Sequence, residues 1–112
     1  MIYVGTIGEG LWQSDDLGRT WSPEPGVPGD ARIYALAVSP DGRRLYAGAE
    51  GSVYRRDGVD WSHLPLPDAG LQVWALGIHP REPSLLLAGC RPLALLASED
   101  DGKHWTPLDL SL

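Results

Sequence analysis

The chain has 112 residues, a formal net charge of −6, a hydrophobic share of 43% and a charged share of 21%, a balance that supports one folded domain and excludes disordered and low-complexity classes. Its basic residues never run beyond the pairs Arg43-Arg44 and Arg55-Arg56, which excludes the concentrated basic face needed by nucleic acid or an anionic membrane. Cys90 is the single cysteine, so no internal disulfide forms.

The N-terminus, MIYVGT, has no basic n-region and no apolar h-region, so no secretory signal is expected and the cytoplasm is the default compartment. No stretch approaches the ~20 apolar residues of a membrane span. Fourteen Gly and ten Pro, scattered between short apolar runs, predict many turns and many short strands.

The first predicted strand is the row Tyr3–Thr6 (YVGT), followed by a second in GLWQS and a third that starts at the Trp of TWSPE. A further strand runs from Ile33 to Val38 and ends at the turn Ser39-Pro40-Asp41-Gly42. It is apolar at almost every position, which predicts burial on both faces. YAGA (Tyr46–Ala49), SVYRR and DWSHLP complete that group of four. The last group repeats the order, with Val73–Ile78, LAGC (Leu87–Cys90), LALLAS and HWTPL.

These rows keep a period. The strand glycines stand at 5, 48 and 89, the runs IYALAVSP and VWALGIHP start at 33 and 73, and the hairpin tryptophans are Trp21, Trp61 and Trp105. A repeat of about 42 residues with four antiparallel strands is the blade of a β-propeller. The expected fold class is therefore all-β. One domain spans residues 1–112, divided into repeat units at about 1–30, 31–70 and 71–112, with three, four and four strands.

Two of the hairpins share an octapeptide, SDDLGRTW from Ser14 to Trp21 and SEDDGKHW from Ser98 to Trp105. Gly18 and Gly102 supply the positive φ of a tight turn, and Asp16 and Asp100 accept hydrogen bonds from turn amides. Ser14 and Ser98 add a weaker bond, and Trp21 and Trp105 are expected to be buried between sheets. The middle copy, YRRDGVDW, keeps Gly58 and Trp61 but sets Tyr54 and Arg56 against the Ser and Asp, with Asp57-Gly58 as its turn. A group lost from one of three equivalent turns reads as structural.

The octapeptide resembles the Asp-box, or BNR repeat, of propellers in sialidases, sortilin-type receptors, xyloglucan-degrading glycoside hydrolases and photosystem II stability/assembly factors. The resemblance implies a propeller whose boxes lie at the blade periphery and serve folding. It implies six or more blades in a complete ring. It leaves activity open, since a fold hosts many functions. From Trp105, a further inner strand is expected near residue 117. The expectation is thus a partial ring that is completed either by continuation in a longer chain or by self-association.

Catalytic groups are hard to assemble from these residues. The carboxylate pairs cluster at the hairpin turns, not across one cleft as glycoside hydrolysis requires. Glu9 and Glu50, in equivalent connections, are the remaining acidic candidates. Trp74, on an inner strand, is the aromatic placed to meet a sugar, with packing between blades as the plainer reading. His63, His79 and His104 have no partner at metal-ligand spacing, and no phosphate loop or nucleophile elbow occurs, so no metal or cofactor is expected. The expected function is a non-catalytic module that binds a protein or carbohydrate partner. The alternative is a piece of a sialidase-like or xyloglucanase-like glycoside hydrolase whose catalytic residues lie in other blades.

Overall fold

The computed structural model describes residues 1–109, and the end of the third repeat unit, 110–112, lies outside them. The described residues form eleven strands and no helix. Strands β1 (Ile2–Gly5), β2 (Leu11–Ser14) and β3 (Ser22–Pro23) make one antiparallel sheet. Strands β4 (Ala35–Val38), β5 (Arg44–Gly48), β6 (Ser52–Asp57) and β7 (Asp60–Pro65) make the second. Strands β8 (Gln72–Ile78), β9 (Leu86–Arg91), β10 (Ala94–Ser98) and β11 (Thr106–Pro107) make the third. Each sheet is a simple meander in chain order, and β4 lies against β8, which marks the inner edge where sheets converge. The fold is that of propeller blades, all-β as the periodicity predicts.

Neighbouring sheets pack face to face through two apolar seams. The first joins Leu11, Val27 and Ile33 to Leu45, Ala47 and Ala49. The second joins Tyr46, Val53 and Leu64 to Leu86, Ala88, Leu96 and Trp105. One contact recurs at both. The Ile33 N–H bonds the Thr6 carbonyl at 2.8 Å, and the Val73 N–H bonds the Ala49 carbonyl at 3.0 Å. Each places its branched side chain on a strand glycine: a Cβ built on Gly5 would lie 2.5 Å from Ile33, and one on Gly48 would lie 2.6 Å from Val73. Gly5 and Gly48 are there because a branched residue leading into the next sheet occupies the space of a side chain.

Two expectations are corrected. The inner strands are not buried on both faces, because Leu36, Val38, Trp74, Ala75 and Gly77 are all exposed. Each inner strand packs one face onto a neighbouring sheet and turns the other toward open space. The middle hairpin is also shorter than the octapeptide alignment implies. Arg56 pairs with Leu45 as Ser14 pairs with Ile2, so Arg56, not Tyr54, stands in the Ser position. Asp57 pairs with Asp60, leaving Gly58-Val59 as the two-residue loop. Gly58, at φ 65°, takes the first loop position, where such hairpins call for glycine.

Candidate functional site

The two full octapeptides share one Ser–Asp–Gly turn. The Ser14 hydroxyl donates to Asp16 Oδ1 at 2.8 Å and accepts the Gly18 N–H at 2.9 Å. The Ser98 hydroxyl does the same with Asp100 at 2.9 Å and with the Gly102 N–H at 2.8 Å. Asp16 then accepts from the Thr20 N–H at 2.9 Å and the Thr20 hydroxyl at 2.5 Å. Asp100 accepts the His104 N–H at 2.9 Å and faces the His104 ring Nδ1 at 2.5 Å. Both serines are buried, so they are central to the turn, which corrects the minor role read from sequence. The residues before the glycines, Leu17 and Asp101, share a φ of 64°, and Gly18 and Gly102 share 87°.

These bonds tune the carboxylates in one direction. The Thr20 hydroxyl first, then the Thr20 amide and Ser14, hold Asp16 down at about 2. The His104 ring first, then its amide, hold Asp100 well below the usual carboxylate range. A carboxylate tied so firmly to its own turn is a poor general acid or base near neutral pH. The tryptophans divide. Trp105 is 6% exposed and sits in the second seam, whereas Trp21 is 41% exposed, against the expected burial, with its indole N–H on the Gly18 carbonyl at 3.0 Å. Trp61 is half-buried in the first seam and donates to Glu24 at 3.1 Å.

Trp74 belongs to a different surface. It is 50% exposed at the start of β8, and its ring stacks on Tyr34 at the head of β4, with centroids 5.0 Å apart and planes 27° apart. The Trp74 indole N–H is held by Gln72 Oε1 at 3.0 Å, which fixes the ring's orientation. Gln72 is bridged to Glu50, and Arg32 occupies the matching bridge to Ile7. Glu50 and Arg32 share a shallow groove of about 210 Å³ with Asp30 and Tyr54. Glu9 is not part of this groove. It is exposed in the β1–β2 connection, its carbonyl accepting the Trp12 indole N–H at 2.8 Å.

Tyr34, Gln72 and Asp30 were not singled out from sequence. The signal for Tyr34 was present, because IYALAVSP and VWALGIHP carry their one aromatic residue in the same column. Three arginines tie sheets together. Arg44 Nη1 meets Asp101 at 2.5 Å, Arg55 donates to the Asp101 carbonyl at 2.6 Å, and Arg56 donates to the Tyr3 hydroxyl. Cys90 packs against the second seam, and burial pushes its thiol up. Among the described residues no three His, Cys, Asp or Glu side chains gather to hold a metal, and no helix is long and apolar enough to cross a membrane.

No family model matches the chain. It is similar to a xyloglucanase of Hypocrea jecorina (strain QM6a), 29% identical over an alignment of 131 positions that covers 96% of this chain and 16% of the relative. Among solved structures it is similar to "YCF48 bound to D1 peptide", with TM-score 0.75 and 21% identity over 97% of this chain and 37% of that one. An ancestral GH74 enzyme superposes with TM-score 0.84 and 15% identity, covering 98% of this chain and 17% of the other. A GH74 enzyme of Niastella koreensis superposes with TM-score 0.74 and 16% identity, covering 94% and 19%. The likenesses to solved structures give the propeller fold. The chain spans well under half the length of each of these four proteins.

Proposed function

We propose that this chain is a non-catalytic propeller module that binds a neutral oligosaccharide chain at the inner rim of its sheets. The observation that carries the reading is the exposed Tyr34–Trp74 stack, held in orientation by Gln72. A rigid aromatic face takes the apolar face of a pyranose ring at little entropic cost. Arg32, Glu50 and Gln72 beside it offer planar hydrogen-bonding groups of both signs, which suits hydroxyls better than a charged ligand. In this reading the three sheets are three blades, matching repeat units 1–30, 31–70 and 71–112. Ser14, Asp16, Gly18, Ser98, Asp100 and Gly102 are Asp-box (BNR) residues that close hairpins, with Trp21, Gly58, Trp61 and Trp105 as their companions. The protein-partner form of the reading draws on the neighbour whose structure holds a peptide.

Titration calorimetry with xyloglucan oligosaccharides tests it. Trp74→Ala is expected to weaken binding by roughly tenfold or more, while Asp16→Asn leaves it unchanged. Equal affinity of the wild type and Trp74→Ala removes the inner rim as the site.

The sharing of one groove by Asp30 and Glu50, together with the xyloglucanase relative, supports a second reading as part of a glycoside hydrolase. It predicts slow release of reducing sugar that Glu50→Gln abolishes; the first reading predicts no turnover.

A further inference from the structure

We propose that the β1–β2–β3 sheet of one copy docks on the β8–β9–β10–β11 sheet of a second copy, continuing head to tail the seams that join sheets within the chain. Counting back from the three strand glycines, Ile2 holds the place of Leu45 and Leu86, and Val4 that of Ala47 and Ala88. The four inner counterparts are buried to 2% exposure or less, while Ile2 and Val4 are 41% and 43% exposed. On the far side, Leu87 holds the place of Tyr46, which is 1% exposed inside the chain, and is itself 42% exposed. Gly89, the third strand glycine, has only the Ala75 Cβ near its missing side chain, at 3.6 Å. The residue types of a seam are thus present at both ends of the arc with nothing packed on them.

A second copy is the occupant because the two ends match each other. Within the chain, the turn tip Asp101 crosses a seam to Arg44 and Arg55. The equivalent turn tip on the first sheet is Leu17, which has the same φ of 64° and is 86% exposed. The equivalents of Arg44 and Arg55 on the last sheet are Leu85 and Ala97. The Asp101–Arg44 ion pair is replaced on both sides at once, by the aliphatic tip Leu17 and the aliphatic Leu85. The contact is heterologous, and a second contact of the same kind closes two copies on each other.

Sedimentation of the full chain, from micromolar to several hundred micromolar, reads this out. The wild type is expected to be a dimer. Leu17→Asp and Leu85→Arg are each expected to be monomeric with unchanged circular dichroism, since Leu17 is exposed and aspartate tolerates positive φ well. The double variant Leu17→Asp/Leu85→Arg is expected to dimerise again, rebuilding the pair that Asp101 and Arg44 make inside the chain. A monomeric wild type, an open-ended ladder of sizes, a single variant that stays dimeric, or a double variant that stays monomeric would each overturn the proposal.

Discussion

Gly48 and Gly89 occupy the same column of the repeat, yet their environments give opposite expectations for the same substitution. A Cβ at Gly48 would stand 2.6 Å from the Val73 side chain and 3.1 Å from its carbonyl oxygen, and backbone cannot give way cheaply. Gly48→Ala is therefore expected to lower stability by about 1–3 kcal/mol, the usual range for overpacking. Gly89→Ala meets its nearest atom at 3.6 Å, an ordinary contact, and is expected to lie within about 0.5 kcal/mol of wild type. Urea titrations of both variants check the contrast. Charge acts at the same scale in the two turns. Asp16 is held at about 2 from an ordinary 3.8, so its contribution is present above pH 4 and is lost as the pH falls toward 2. Asp100 is shifted in the same direction. The melting temperature is expected to be flat near pH 6 and to fall below roughly pH 4, with a shallower fall in Asp16→Asn/Asp100→Asn. An equally steep fall in that variant would assign the acid sensitivity to other carboxylates.

At the scale of the element, the hairpins separate what short-range sequence encodes from what it does not. The bonds of Ser14, Asp16 and Gly18 all close within four residues, so the turn was legible in the octapeptide itself. So were the eleven strands, because the glycine column and the hairpin tryptophans repeat with the blade. The fate of each tryptophan was not legible, because it depends on the sheet across the seam. Trp105 meets Tyr46, Val53 and Leu64 there, while the outer face of the first sheet brings nothing to Trp21. Trp105→Ala is expected to cost about 3–5 kcal/mol, and Trp21→Ala well under half of that. The shortened middle hairpin was hidden for a related reason. Aligning on Gly58 and Trp61 matched letters, whereas the register of β5 with β6 put Arg56 in the serine's place and sent it to Tyr3.

Over the whole molecule, polar groups divide between two roles. Asp16 and Asp100 are consumed by their own hairpins, and Arg44, Arg55 and Arg56 are consumed by seams, so none of these five is free for a ligand. The inner rim carries the Tyr34–Trp74 stack with Gln72, and Glu50 and Arg32 in the adjoining groove. Trp74 was legible as a candidate, but its stacking partner was not, because the two lie forty positions apart and meet only when β4 packs on β8. The most direct measurement is the indole N–H spectrum of the ¹⁵N-labelled chain, with one signal for each of its five tryptophans, recorded while the neutral oligosaccharide is added. The account predicts that the Trp74 signal shifts and saturates while those of Trp21, Trp61 and Trp105 stay in place. A Trp74 signal that does not move, or shifts confined to Trp21, would contradict it.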